Sequence, residues 1–221
     1  MLKWIAVILM IIDHSAIVIK DYISYDFYYM LRGIGRLCFP LFVYFIVKGV
    51  QRTSNFKMYL LHLLGFGIAT EIIRTSFDVF NFNVFNVMIS FFLYATMYFI
   101  MVNKIKLPAV IKILSMSFIV LLSPLIEYGL GGLVLFWVLM YIDKKGGSVT
   151  ALQLSSFVGI LLSFKLTGHN SLQLLSAFAA FIMFIPKLEG RIFSPKVEKY
   201  SFYVIYPLQF LLLGLISEYL L

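Results

Sequence analysis

Nine runs of mostly apolar residues, most of them separated by short polar turns, leave this chain few ways to fold. They cover residues 3–20, 37–52, 56–73, 84–102, 108–125, 128–143, 149–166, 171–187 and 200–220. A helix that crosses the hydrocarbon core of a bilayer takes about 20 such residues. The expected fold is therefore all-α: a polytopic integral membrane helix bundle of about nine transmembrane helices. Several runs are short, so the range is eight to ten. A single domain, residues 1–221, accounts for the whole chain. The first run carries Asp13 and His14 with no small-residue cleavage site behind it, so it reads as a retained helix. At 62% hydrophobic and 13% charged, the composition excludes an ordinary soluble enzyme, which has about 25% charged residues. It also excludes a disordered chain and a nucleic-acid-binding domain. The lipid bilayer is the expected surrounding, and the net charge of +8 reads as loops facing anionic headgroups.

The turns carry the topology. With nine helices, 13 of the 18 basic residues fall on one side. These are Lys3, Lys48, Arg52, Lys57, Lys104, Lys106, Lys112, Lys144, Lys145, Lys187, Arg191, Lys196 and Lys199. Lys20, Arg32, Arg36, Arg74 and Lys165 fall on the other. The positive-inside rule places the N-terminus in the cytoplasm and the C-terminus outside. An error of one helix would flip the later part of this assignment.

The first helix holds the strongest chemical signal. Lys3 and His14 are eleven residues apart, about three turns, so they lie on nearly one face, about 16 Å apart along the axis. Lys3 sits at the cytoplasmic rim and can hold a polyanion. His14 sits at a depth where an ionisable residue is costly and faces the bundle interior. A histidine there can act as a general base, and a long amphiphilic arm can connect the two. The alternative is a topological anchor and a hydrogen-bonded interior residue. Asp13, adjacent to His14, points elsewhere and is expected to meet an arginine of another helix.

Arg32 and Arg36 share one face if their segment is helical. They serve either the site or a structural pair with Asp13, Asp21 or Asp26. The turn from Lys48 to Asn55, with Arg52 and Lys57, is the candidate holder of phosphates, because Ser54 or Asn55 can cap the next helix and its N-terminus favours anions. Plain topology explains each of these lysines and arginines singly. Glu71 and Arg74, three apart, can pair with each other. His62 reads as an interior residue and His169, in a Gly-His-Asn turn, as solvated. Three scattered histidines and the single Cys38 do not make a metal site. The aromatic run Tyr22, Tyr25, Phe27, Tyr28 and Tyr29 is a membrane belt or the mouth of an acceptor site.

The segment LKWIAVILMIIDH, followed by IGRLCFPLFVYFIVKGV, resembles the TraX family of pilin N-acetylation proteins. Its basic residue, ten residues and a histidine also resemble the pattern of the transmembrane type-3 acyltransferases. LLGFGIATEIIR (63–74), FNVMISFFL (85–93) and KYSFYVIYPLQFLLL (199–213) are similar to the same family; residues 104–195 match only in hydropathy. The resemblance implies a membrane-bound acetyltransferase of the bacterial inner (plasma) membrane, fed by cytoplasmic acetyl-CoA. It implies His14 as base, with Asp13 and Arg36 orienting it or stabilising charge. It places Lys3 near the CoA phosphates; joined with the charges of the 48–55 turn, Lys3, Lys48, Arg52 and Lys57 are the expected acetyl-CoA residues, and Glu71, Arg32, Asn86 and Gln209 the expected acceptor residues. The last helix of these families often reads Tyr-Pro-Leu-His; here it reads Tyr206-Pro207-Leu208-Gln209, and Gln209 cannot serve as a base. The acceptor is the N-terminal amine of a peptide or pilin-like protein, or a hydroxyl of an envelope saccharide. A non-enzymatic transporter or immunity-type membrane protein is the competing class. Self-association is left open.

Overall fold

A computed structural model describes residues 1–80, 83–102, 104–188, 190 and 192–219, with only the backbone at residues 195, 196 and 199. Asn103, Glu189 and Arg191, which the sequence places in turns, lie outside the described residues. The described residues form no strand, only an isolated bridge between Phe85 and Ile126. The helices are α1 (Leu2–Val18), α2 (Tyr25–Gly35), α3 (Cys38–Arg52), α4 (Phe56–Thr75), α5 (Val87–Met101) and α6 (Ala109–Leu121). They continue as α7 (Gly129–Lys145), α8 (Val149–Leu166), α9 (Ser171–Leu174), α10 (Ala179–Met183) and α11 (Pro195–Tyr219).

Local chemistry explains the boundaries. Asn55, Asn86, Ser148 and Asn170 each accept a backbone N–H from the second or third residue of the helix they precede, removing an orphan donor. Pro40 sits in the first turn of α3, where a missing N–H costs little. Each of the nine apolar runs becomes helical. Three details differ from the sequence reading. A helix already runs from Tyr25, capped by the Ser24 side chain, and with α3 forms the stretch Tyr25–Arg52. The run at 171–187 is split by a 3-10 turn at Leu175–Phe178. The last helix starts at Pro195 rather than at 200.

The outside of the bundle is apolar. Tyr25–Arg52, Phe56–Thr75, Val149–Leu166 and Tyr200–Tyr219 are long and apolar enough to cross a bilayer. Leu154, Val158, Leu162 and Leu166 form an exposed stripe along α8, as Val110, Leu114, Phe118 and Leu121 do along α6. A soluble monomer does not expose apolar strips of this extent. The polar residues turn inward: Asp13, Arg74, Asn86, Gln173 and Gln209 are all buried.

The helix ends gather as the charge pattern predicts. Lys48 meets Asp143 at 2.5 Å, Phe56 packs on Phe99 and the backbone amine of Met1 reaches the Gly190 carbonyl. This is the basic end. At the far end, α1 and α2 touch so closely that a Cβ on Gly35 would fall 2.4 Å from the Asp13 Cβ. Overpacking such a contact costs about 1–3 kcal/mol. Gly35→Val is expected to lower the thermal midpoint of the detergent-purified protein by several degrees. Gly65→Ala, with nothing within 4 Å of the added atom, is expected to leave it unchanged.

Candidate functional site

One face of α1 organises the interior. Lys3, Val7 and Met10 line an apolar cavity of about 350 Å³ near the basic end, together with Phe91, Tyr203 and Tyr206. The next two positions of that face, His14 and Ile17, line a cavity of about 430 Å³ near the far end. Met10 and His14 are one turn, about 6 Å, apart along the axis. The His14 ring rests on Phe210 at 4.6 Å and is 6.4 Å from the Tyr206 ring. His14 and Tyr206 therefore stand at the partition between the two cavities. Gln209 lies beside His14. Among the described residues the Gln209 amide atoms and buried Nδ1 of His14 have no closely made hydrogen bond beyond the interaction of these two side chains with each other. Pro207, inside α11, removes the bond that the Tyr203 carbonyl would otherwise accept.

Basic residues stand at the mouth of the first cavity. A second cavity of about 350 Å³ adjoins it through shared residues Lys3, Phe45, Gly49 and Arg52, and adds Lys48 and Glu198. The Lys3 ammonium lies over Phe202 at 5.2 Å and Phe45 at 5.9 Å. Of the four cofactor candidates, Lys3, Lys48 and Arg52 come together here, although Lys48 is also tied to Asp143. Lys57 is exposed and lines none of these cavities.

The far cavity is polar. Arg32 Nη1 holds the Asp13 carboxylate at 2.7 Å and its main-chain carbonyl at 3.1 Å. Arg36 Nε is 3.9 Å from the other carboxylate oxygen, and its Nη1 reaches Tyr128 Oη and Gln173 Oε1. Asp13 does meet an arginine of another helix; Arg32 is the closer of the two. Glu71 and Arg74 pair as expected, but Glu71 does not line the cavity. Its Oε2 accepts the Asn86 backbone and side-chain N–H groups at 3.0 and 2.7 Å. Asn86 also donates to the Gly67 carbonyl and accepts from Met88 N–H. Glu71, Arg74 and Asn86 thus clamp α4 to α5.

Four residues of this cavity escaped the sequence reading as site residues: Gln173, which accepts from Arg36, and His169, Glu127 and Tyr128. His169, read as solvated, lines the far cavity, bonded to Thr167 and packed on Phe164. Glu127 and Tyr128 form the turn before α7, and Tyr128 takes φ +60°, uncommon for a residue with a side chain. Its ring stacks on Phe39 at 3.4 Å. No spacing rule links residue 127 to residue 14. Glu127 lies on a turn outside the spanning helices; burial pushes its carboxyl up to about 7 against the opposing pull of Arg74 and Arg36.

By architecture this is a helical bundle built for an apolar solvent, with a histidine between cavities near its two ends. The chain belongs to the TraX family, described as TraX protein, which matches residues 1–217. A curated relative, the probable fimbrial assembly protein FimC, serogroup H1, of Dichelobacter nodosus, is 41% identical over 70 residues. That stretch covers 32% of this chain and 28% of the relative. No solved structure matches.

Arg32→Ala would leave the buried Asp13 carboxylate with only the distant Arg36. Breaking a buried pair from one side costs about 3–5 kcal/mol. A large fall in thermal midpoint is expected, with partial recovery when Asp13→Asn is added. The raised Glu127 carboxyl has a second consequence. Its proton is held more tightly in the folded chain, so this contribution to stability is full at pH 4 and lost as pH rises through about 7. Against Glu127→Gln, the unaltered protein is expected to lose relative stability between pH 5 and 8 in parallel thermal melts.

Proposed function

We propose that this protein is a membrane-bound acetyltransferase, moving acetyl from cytoplasmic acetyl-CoA to an acceptor that enters from the far side. The observation that carries the reading is the single α1 face that runs from Lys3, through the apolar cavity, to His14 in the polar one. Lys3, Lys48 and Arg52 bind the phosphates at the basic end, which faces the cytoplasm of a bacterial cell with the N-terminus. The apolar cavity between Val7 and Tyr206 suits the flexible arm, and the Tyr203 carbonyl freed by Pro207 can accept one of its amide N–H groups. About nine helices, the short ones included, cross the membrane.

His14 acts as the base at the partition and takes a proton from the attacking group. A neutral imidazole suits this work at cellular pH. Gln209 donates its unused amide N–H to the acyl oxygen. Arg36 and Arg32 hold Asp13, which keeps the far cavity polar and open. Family membership, together with a relative whose printed name is fimbrial assembly, supports a peptide N-terminus as acceptor.

Purified protein titrated with CoA is expected to show a saturable rise in thermal midpoint. Lys3→Ala with Arg52→Ala should weaken CoA binding about tenfold or more, since bonds to charged groups contribute about 1.5–3 kcal/mol. His14→Ala should keep the CoA-induced rise while acetyl release from acetyl-CoA falls by about 10²–10⁴-fold. An unaltered protein indifferent to millimolar CoA would overturn the reading.

A further inference from the structure

The far cavity has two carboxylates, Asp13 and Glu127, and they differ in kind. Asp13 is bound by Arg32 at 2.7 Å through one oxygen, with Arg36 3.9 Å from the other. The Glu127 carboxyl receives no hydrogen bond among the described residues. Arg74 Nη1 stands 4.0 Å away, at the limit of an ion pair, while Nη2 of the same guanidinium binds Glu71 and the Val84 carbonyl at 2.5 and 2.6 Å. The Glu127 side chain keeps 21% of its surface open and lines the cavity that also holds His14.

The backbone fixes this carboxylate in place. Glu127 N–H donates to the Phe85 carbonyl at 2.9 Å, and the Glu127 carbonyl accepts the Ser90 hydroxyl at 2.9 Å. Tyr128, at φ +60°, is locked by its stack on Phe39. Residues held in sparsely populated backbone regions cluster at working sites. The result is a positioned, under-partnered anion facing the same space as the base.

Resting on the acetyltransferase reading, we infer that Glu127 binds the ammonium group of a primary-amine acceptor and removes the first of its two protons. An amine reaches the site as R–NH3⁺ and is no nucleophile in that form. Glu127 takes one proton and frees the nitrogen lone pair, which forms the C–N bond to the thioester carbonyl. His14 takes the second N–H proton and returns it to sulfur as the C–S bond breaks. Glu127 then releases its proton to the far side. Ammonium and thioester thus become amide, thiol and one proton, and the balance closes. A hydroxyl acceptor needs only His14, so a carboxylate in this position selects amines over saccharide hydroxyls. Burial favours the protonated carboxyl and raises its proton affinity toward neutrality, so that it both accepts and releases a proton near pH 7. The charged groups facing it are Arg74 and Glu71 of α4, Arg36 between α2 and α3, and Asp13 of α1.

The test uses a pool of randomised decapeptides with free N-terminal amines, beside the same pool ending in an N-terminal hydroxyl. In the full-length protein, acetyl-CoA should acetylate the amine pool. Glu127→Gln should raise KM for that pool about tenfold and move the rise of rate from near pH 7 toward the α-amine's own value of about 8. Glu127→Asp should restore part of the loss. The CoA-induced thermal shift should persist in both variants, separating a lost acceptor contact from a lost fold. The amine pool should also stabilise the unaltered protein more than its N-acetylated form does, a difference absent in Glu127→Gln. Equal KM values for both proteins, or acetylation of the hydroxyl pool in preference to the amine pool, would overturn the assignment while leaving the acetyltransferase intact. Failure of CoA to stabilise the unaltered protein would remove both.

Discussion

Asp13 sits between two arginines in a place where an unpaired charge would be untenable, and much of the structure follows from that. A carboxylate buried on a membrane-length helix must find cations, and in this chain they come from the α2–α3 segment. To reach it, α2 packs onto α1 so tightly that only a glycine fits at position 35. The contact fixes the rotation of α1 about its own axis. The adjoining face, from Lys3 to Ile17, is thereby turned toward the interior, where the cavities are, and Asp13 itself borders the far one. The ion pair does not perform chemistry; it decides which way the chemistry points.

The second constraint is solvent. Apolar side chains cover the exterior, so packing inside must come from close shape matching, small residues and internal hydrogen bonds rather than from exclusion of water. The Glu71–Arg74–Asn86 cluster is the clearest case. Three polar side chains bond to one another and to the helix backbones between α4 and α5. The sequence reading treated Glu71 and Asn86 as contacts for an acceptor. In the frame both are already bonded, Glu71 to Arg74 and Asn86, and Asn86 to the Gly67 carbonyl and the Met88 N–H.

What could be read from the sequence follows from the reach of its periodicities. Helical spacing is a rule within one element, so the Lys3–His14 face, the Glu71–Arg74 pair and the nine apolar runs were all legible. The charge of the turns sorted the helix ends correctly because it acts on whole segments. Contacts between distant segments carry no such rule. Glu127 reaches the cavity of His14 through the turn before α7, His169 from the loop between α8 and α9, and Gln173 from α9 itself. The helix at Tyr25–Gly35 was missed because its acidic and aromatic residues do not form an apolar run, although Ser24 supplied a capping signal.

The thinness of the partition at His14 has an electrical side. In an energised bilayer, wherever two such cavities fill with water, the barrier between the aqueous phases thins to the wall that separates them. The transmembrane voltage then drops mostly across the one helical turn between Met10 and His14, not across the full hydrocarbon thickness of about 30 Å. Moving one elementary charge through the whole potential is worth about 2.3 kcal/mol per 100 mV. A charge carried over that single turn would sense most of this field, so under the membrane reading the place where His14 stands is also the place where the voltage is steepest.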